Sequence, residues 1–135
     1  MKPIGYWLNR TDRAITTYMN NTLAEFGITR LAWQVLNVVR DGGDVTDDEV
    51  RAILVANADT AELDTAITLV LTGGWASRPA HEHLALTDTG RERLVKVGEH
   101  INTFREISLA GVTDAEYRTA VSVLERMTGN LESRA

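Results

Sequence analysis

The chain has 135 residues, 44% hydrophobic and 24% charged, with a formal net charge of −5. That length suits one domain with a real core and is too short for two ordinary ones. There is no cysteine, which excludes disulfides, thiolate metal sites and a cysteine nucleophile. The opening Met-Lys-Pro-Ile-Gly-Tyr-Trp lacks an apolar signal core, and no run approaches about 18 apolar residues. The chain therefore reads as soluble and cytoplasmic, with no membrane partner.

Residues 4–26 read as a first helix, with Leu8, Ile15, Tyr18, Met19, Leu23 and Phe26 as its apolar stripe and Gly27 as its stop. Ile28-Thr29 opens a second helix to about Arg40, buried through Ala32, Val35, Leu36 and Val39. Asp41-Gly42-Gly43-Asp44 ends it in a flexible turn. Thr46 and Glu49 have capping-box spacing, with Val45 and Val50 as the staple, and the helix they start is expected to reach about Ala56. After a turn at Asn57-Ala58-Asp59, Asp59 and Glu62 repeat that spacing and open another helix. Its buried stripe is Leu63, Ala66, Ile67 and Val70, and Gly73-Gly74 stops it.

Trp75–Arg78, Pro79–Glu82 and His83–Leu86 read as strand, turn and strand. Thr87 or Asp88 caps a long helix to about Ser108, in which Leu94, Val97, Ile101 and Phe104 follow near-heptad spacing. Thr113 and Glu116 form a third capping box with Val112 and Tyr117 as its staple. A stripe of Tyr117, Val121, Leu124, Thr128 and Leu131 follows. Helix, turn, helix and hairpin in succession describe a winged helix-turn-helix, which usually sets its second helix in a DNA major groove.

The order of these elements resembles the MarR family of bacterial transcription regulators over nearly the whole chain. The residues that carry it are Leu63, Ile67, Val70 and Gly74-Trp75, then Leu86-Thr87-Asp88-Thr89-Gly90-Arg91. Gly111–Tyr117 and Val123-Leu124-Glu125-Arg126-Met127 complete it. The resemblance implies a mainly α fold: a winged helix-turn-helix with a small β-hairpin wing, and N- and C-terminal helices forming a dimerisation platform. Residues 1–135 would be one domain, with the lobe at 28–87 and the dimerisation helices at 4–26 and 88–132. It also implies a homodimer that binds double-stranded operator DNA and answers to a small ligand.

By the same resemblance, base contacts fall to Ala61, Glu62, Asp64, Thr65 and Thr68 on the second helix of the motif. A glutamate can accept from cytosine N4 and a threonine can touch a thymine methyl, but no arginine is present for guanine. The wing offers only Arg78, His81 and His83, where the family commonly has an arginine positioned by an acidic residue. Trp7, Arg10 and Trp33 match helices that flank a crevice for small aromatic anions, and an arginine beside tryptophans suits such a ligand.

Charge pulls the other way. Between Asp44 and Gly90 there are nine acidic residues against Arg51 and Arg78, a local charge of −7. Phosphate binding draws on lysine and arginine. An alternative reading is therefore a chain of this fold that has lost DNA binding and serves as a small-ligand or protein-binding module. No nucleophile motif, phosphate loop or metal-ligand cluster is present, so no catalytic residue, cofactor or metal is expected. His81 and His83 with one glutamate are too few for a metal site.

Overall fold

In the computed structural model, which describes residues 1–134, α1 (Ile4–Leu23) runs into a single 3-10 turn at Ala24–Phe26. Gly27 closes that turn at φ 74°, a left-handed conformation that a β-carbon disfavours. α2 (Arg30–Gly42) starts where the Thr29 hydroxyl accepts from the Ala32 amide at 3.1 Å. Its inner face is the one expected: Ala32, Val35, Leu36 and Val39 are all fully buried. α2 is the hub of the lobe, packing against α1, the helix-turn-helix and the sheet.

The helix-turn-helix is α3 (Asp47–Ile53) followed by α4 (Thr60–Thr72). α3 ends earlier than the expected Ala56: the Leu54 amide still donates to Val50, but Leu54 turns inward and the Asn57 amide closes a turn on its carbonyl at 2.8 Å. The Thr46 box is also only half formed. The Glu49 amide donates to the Thr46 hydroxyl at 3.1 Å, but the Glu49 carboxylate meets that hydroxyl and not the backbone N–H. The box at Asp59 and Glu62 is complete. Leu63, Ala66, Ile67 and Val70 anchor α4 to the core.

Three strands form the sheet, one more than the hairpin expected: β1 (Val45–Thr46), β2 (Ala76–Ser77) and β3 (His83–Leu86). Their order is β1-β3-β2, all antiparallel, with Val45 opposite Leu84 and Ala76 opposite Leu86. Along β3, Leu84 and Leu86 are buried while His83 and Ala85 are half-buried, the alternation of a sheet with one face on the core.

α5 (Asp88–Ser108) is capped by Thr87, whose hydroxyl accepts from the Gly90 amide at 2.9 Å and donates to the Gly74 carbonyl at 2.6 Å. Leu94, Val97 and Ile101 are its buried residues, together with Gly90. α6 (Asp114–Glu132) opens on a complete capping box between Thr113 and Glu116. Its expected staple does not close over: Val112 and Tyr117 are 44% and 51% exposed, and α6 buries no residue. The chain divides into two compact units, residues 1–101 and the residues from Asn102 onward, a boundary that falls within α5. No helix among the described residues is long and apolar enough to cross a membrane.

Candidate nucleic-acid interface

The four buried positions of α4 turn its opposite face outward. Ala61, Glu62, Asp64, Thr65 and Thr68 are all exposed, so the five expected reading positions share one solvent-facing surface. Several of their polar groups are already engaged. Glu62 accepts from the Asp59 amide at 3.2 Å, and the Thr65 hydroxyl donates back to the Ala61 carbonyl at 3.0 Å. Asp64 holds Arg51 of α3, whose other prong reaches Asp48 at 2.8 Å. The hydrogen bond to Asp64 and then the nearby carboxylate charges hold the Arg51 guanidinium above its ordinary pKa, against a desolvation that lowers it.

Arg78 leaves the sheet just after β2 and turns onto Asp47, the first residue of α3. Its two terminal nitrogens meet the two carboxylate oxygens at 2.9 and 3.0 Å. Asp47 is 8% exposed, and it is the one charged residue among the described residues that is buried. The hydrogen bond to Asp47 raises the Arg78 pKa, followed by the charges of Asp47 and Glu82. Arg78 thus lies at the base of the wing with its fork facing inward.

The wing histidines part company. His81 lies in the turn, 94% exposed, with Glu82 at 3.8 Å. His83 begins β3 and its Nδ1 is 2.8 Å from Asp44. They do not form the two-imidazole strand face that a His-x-His spacing suggests. No group of three or more His, Asp or Glu among the described residues could hold a metal ion. Glu82 takes φ 58°, the left-handed region, at the tight corner leading into β3.

The other arginines of the lobe region are occupied as well. Arg30 bonds Asp12 at 2.8 Å and Thr16 at 2.9 Å, tying α2 to α1. Arg93 donates to the Gly73 carbonyl at 2.9 Å and lies over the Trp75 ring at 5.2 Å. Arg40 and Arg91 make longer, exposed pairs with their near neighbours Asp41 and Asp88, at 3.2 and 3.3 Å. Every arginine from 28 to 93 therefore has an acidic or carbonyl partner. Several of these partners stand far away along the chain, as Asp12 does from Arg30 and Gly73 from Arg93, where sequence pattern does not reach them.

On α1 the Tyr6 and Trp7 rings meet edge to face at 5.0 Å, and Arg10 lies 5.9 Å over Trp7 while donating to the Tyr6 hydroxyl at 2.9 Å. Trp7 and Arg10 are thus brought together on α1 itself. Trp33 sits half-buried on α2. A shallow pocket of about 340 Å³ is lined by Tyr6, Asn9, Arg10 and Arg13. His100 is 3.2 Å from Glu25 and packs edge-on against Phe26.

No protein-family model and no curated protein matches the sequence. Solved structures do match. A MarR transcriptional regulator from Methanosarcina mazei Go1 superposes with a TM-score of 0.81 at 18% identity, covering 98% of this chain and 91% of that one. A mutant of MarR from E. coli, complexed with operator DNA, gives 0.80 at 18% identity over 93% of each chain. A Mycobacterium tuberculosis MarR family protein in complex with DNA gives 0.74 at 20% identity, over 94% of this chain and 98% of that one. The chain has the MarR-type winged-helix fold.

Proposed function

We propose that the protein is a DNA-binding transcription regulator of MarR type, non-catalytic and cytoplasmic, acting as a two-fold homodimer on a pseudo-palindromic operator. The observation that carries this reading is the exposed α4 face: Ala61, Glu62, Asp64, Thr65 and Thr68 stand in solvent on the second helix of a helix-turn-helix. Two structures of the same fold were solved with DNA. Two such helices in a dimer would meet half-sites one DNA turn apart, roughly 34 Å.

Exposed apolar side chains support the dimer. Ile4, Trp7 and Leu8 on α1 and Tyr117, Val121 and Leu131 on α6 are between 42% and 69% exposed. A chain alone leaves these in water, and a two-fold partner would cover them. The Tyr6–Trp7–Arg10 cluster supports a response to a small aromatic anion, offering a cation beside ring faces. Such a ligand would shift operator affinity only through its differential affinity for two spacings of the lobes.

One observation favours the second reading, a module that binds a ligand or protein and not DNA. The arginines of residues 28–93 are all engaged within the chain, so the −7 of the winged segment is not offset by free basic groups. For DNA binding, Arg40 and Arg91 are the cheapest to release, since exposed pairs between near neighbours contribute only about 0–1 kcal/mol. Charge reversal at both, Arg40→Glu with Arg91→Glu, is expected to weaken DNA binding by an order of magnitude or more while leaving helicity intact. Unchanged affinity would mean that phosphates are met elsewhere or not at all.

A further inference from the structure

The exposed face of α4 lacks every side chain that reads a purine by paired hydrogen bonds. From Thr60 to Thr72 there is no arginine, lysine, asparagine or glutamine. Guanine and adenine are normally recognised by those four types, through the N7 and O6 or N6 edges. The polar atoms that α4 does present are largely spent on the protein: Glu62 on the Asp59 amide, Asp64 on Arg51, and the Thr65 hydroxyl on the Ala61 carbonyl.

Beside these carboxylates and the Thr68 hydroxyl, what faces outward is methyl groups. With its hydroxyl turned back along the helix, Thr65 is left with its methyl for a partner. Thr68 stands one turn further on, and Ala61 one turn before. Asp64, Thr65, Thr68, Leu69 and Thr72 line a shallow depression of about 450 Å³ whose surface is mostly apolar. In the major groove only thymine projects an apolar group, the 5-methyl, and alanine and threonine methyls are its ordinary contacts.

Resting on the DNA-binding reading above, we propose that α4 selects its duplex by thymine 5-methyl groups, packed against Ala61, Thr65 and Thr68, and not by hydrogen bonds to purines. Specificity on this helix is then an apolar contact that uracil, identical to thymine apart from the methyl, cannot make. Burying a methyl-sized group corresponds to about a fourfold change in affinity.

The test uses the full chain and a pool of duplexes with a randomised central segment, selected by binding at low salt. The selected duplex is then remade with deoxyuridine in place of thymidine, which keeps every Watson–Crick and phosphate contact. Affinity is expected to fall about fourfold for each contacted methyl. The double variant Thr65→Ser/Thr68→Ser, which keeps the hydroxyls and loses the methyls, should lose most of the preference for thymidine and keep only the share that Ala61 supplies. Thr65→Val/Thr68→Val should keep the preference for thymidine. Saturable binding with equal affinity for both duplexes by the unaltered protein overturns this proposal and leaves DNA binding standing. Absence of saturable binding to any duplex overturns both.

Discussion

Arg78 and Asp47, 31 residues apart, face each other in a two-pronged ion pair that joins the base of the wing to the start of the helix-turn-helix. Asp47 is nearly buried and Arg78 about one-third exposed, so the pair lies between a surface and an interior salt bridge. Removing one partner strands the other. Arg78→Ala leaves a mostly desolvated carboxylate and is expected to cost about 1–3 kcal/mol, less than the full penalty of a dry site because water reaches the arginine. Arg78→Lys should recover only part, because a single ammonium cannot span both oxygens. Urea unfolding measures both. DNA affinity should change little, since the guanidinium already faces the protein.

Arg51 makes the opposite prediction. It is held between Asp48 and Asp64, and Asp64 stands on the exposed face of α4 proposed to meet DNA. Asp64→Asn should loosen Arg51 and remove a negative charge from that face. DNA binding is then expected to tighten, and the slope of log affinity against log salt to steepen by about 0.9 if Arg51 gains a phosphate. Asp64→Asn in an Arg51→Ala background separates the two effects: it should still tighten binding but no longer steepen the slope, and the same change of slope in both backgrounds would mean that Arg51 never reaches DNA.

Gly90 and Gly98 lie on one helix and should respond oppositely to alanine. A β-carbon at Gly90 would collide with the Trp75 carbonyl, whereas at Gly98 it would meet nothing within 4 Å. Gly90→Ala is expected to destabilise by about 1–3 kcal/mol as an overpacked contact. Gly98→Ala is expected to stabilise by about 0.5–1 kcal/mol through helix propensity. Thermal unfolding of the two variants checks both signs.

Glu116 gives α6 a pH dependence with a definite sign. The Thr113 amide donates to its carboxylate at 3.0 Å, and with the Thr113 hydroxyl it holds the carboxyl below its ordinary value of 4.5. A lowered pKa in the folded chain means that the cap's contribution is complete above that ordinary value and is lost as pH falls through the lowered one. The Glu116 carboxyl carbon, followed by NMR, should titrate with a midpoint below 4.5. In Glu116→Gln the acid-dependent part of α6 fraying should disappear.

What the sequence disclosed was what its local pattern encodes. The caps at Asp59 and Thr113 need only a side chain and an amide three residues on, and both formed as read. The α2 and α4 stripes follow from helical periodicity alone, and each buries as expected. The parts that stayed hidden are pairings between distant residues. β1 exists as a strand because Val45 and Thr46 meet Leu84 and His83, and two residues carry no strand pattern of their own. Asp47 reads as one acid in a helix's first turn, and only the fold reveals that it secures Arg78. The five α4 positions came from family resemblance. The burial of the opposite face fixes which way they point, and their partners became visible only in three dimensions.

The measurement that bears most directly on the central claim is a titration of the purified, folded protein, its oligomeric state measured alongside, with its own upstream region and a mixed duplex pool, at low and moderate salt. Saturable binding to one fragment, weakening with salt at about −0.9 per phosphate contact in log units, is the expected result. No binding even at low salt would contradict the regulator reading. It would turn the acidic winged lobe into a surface for a ligand or protein partner.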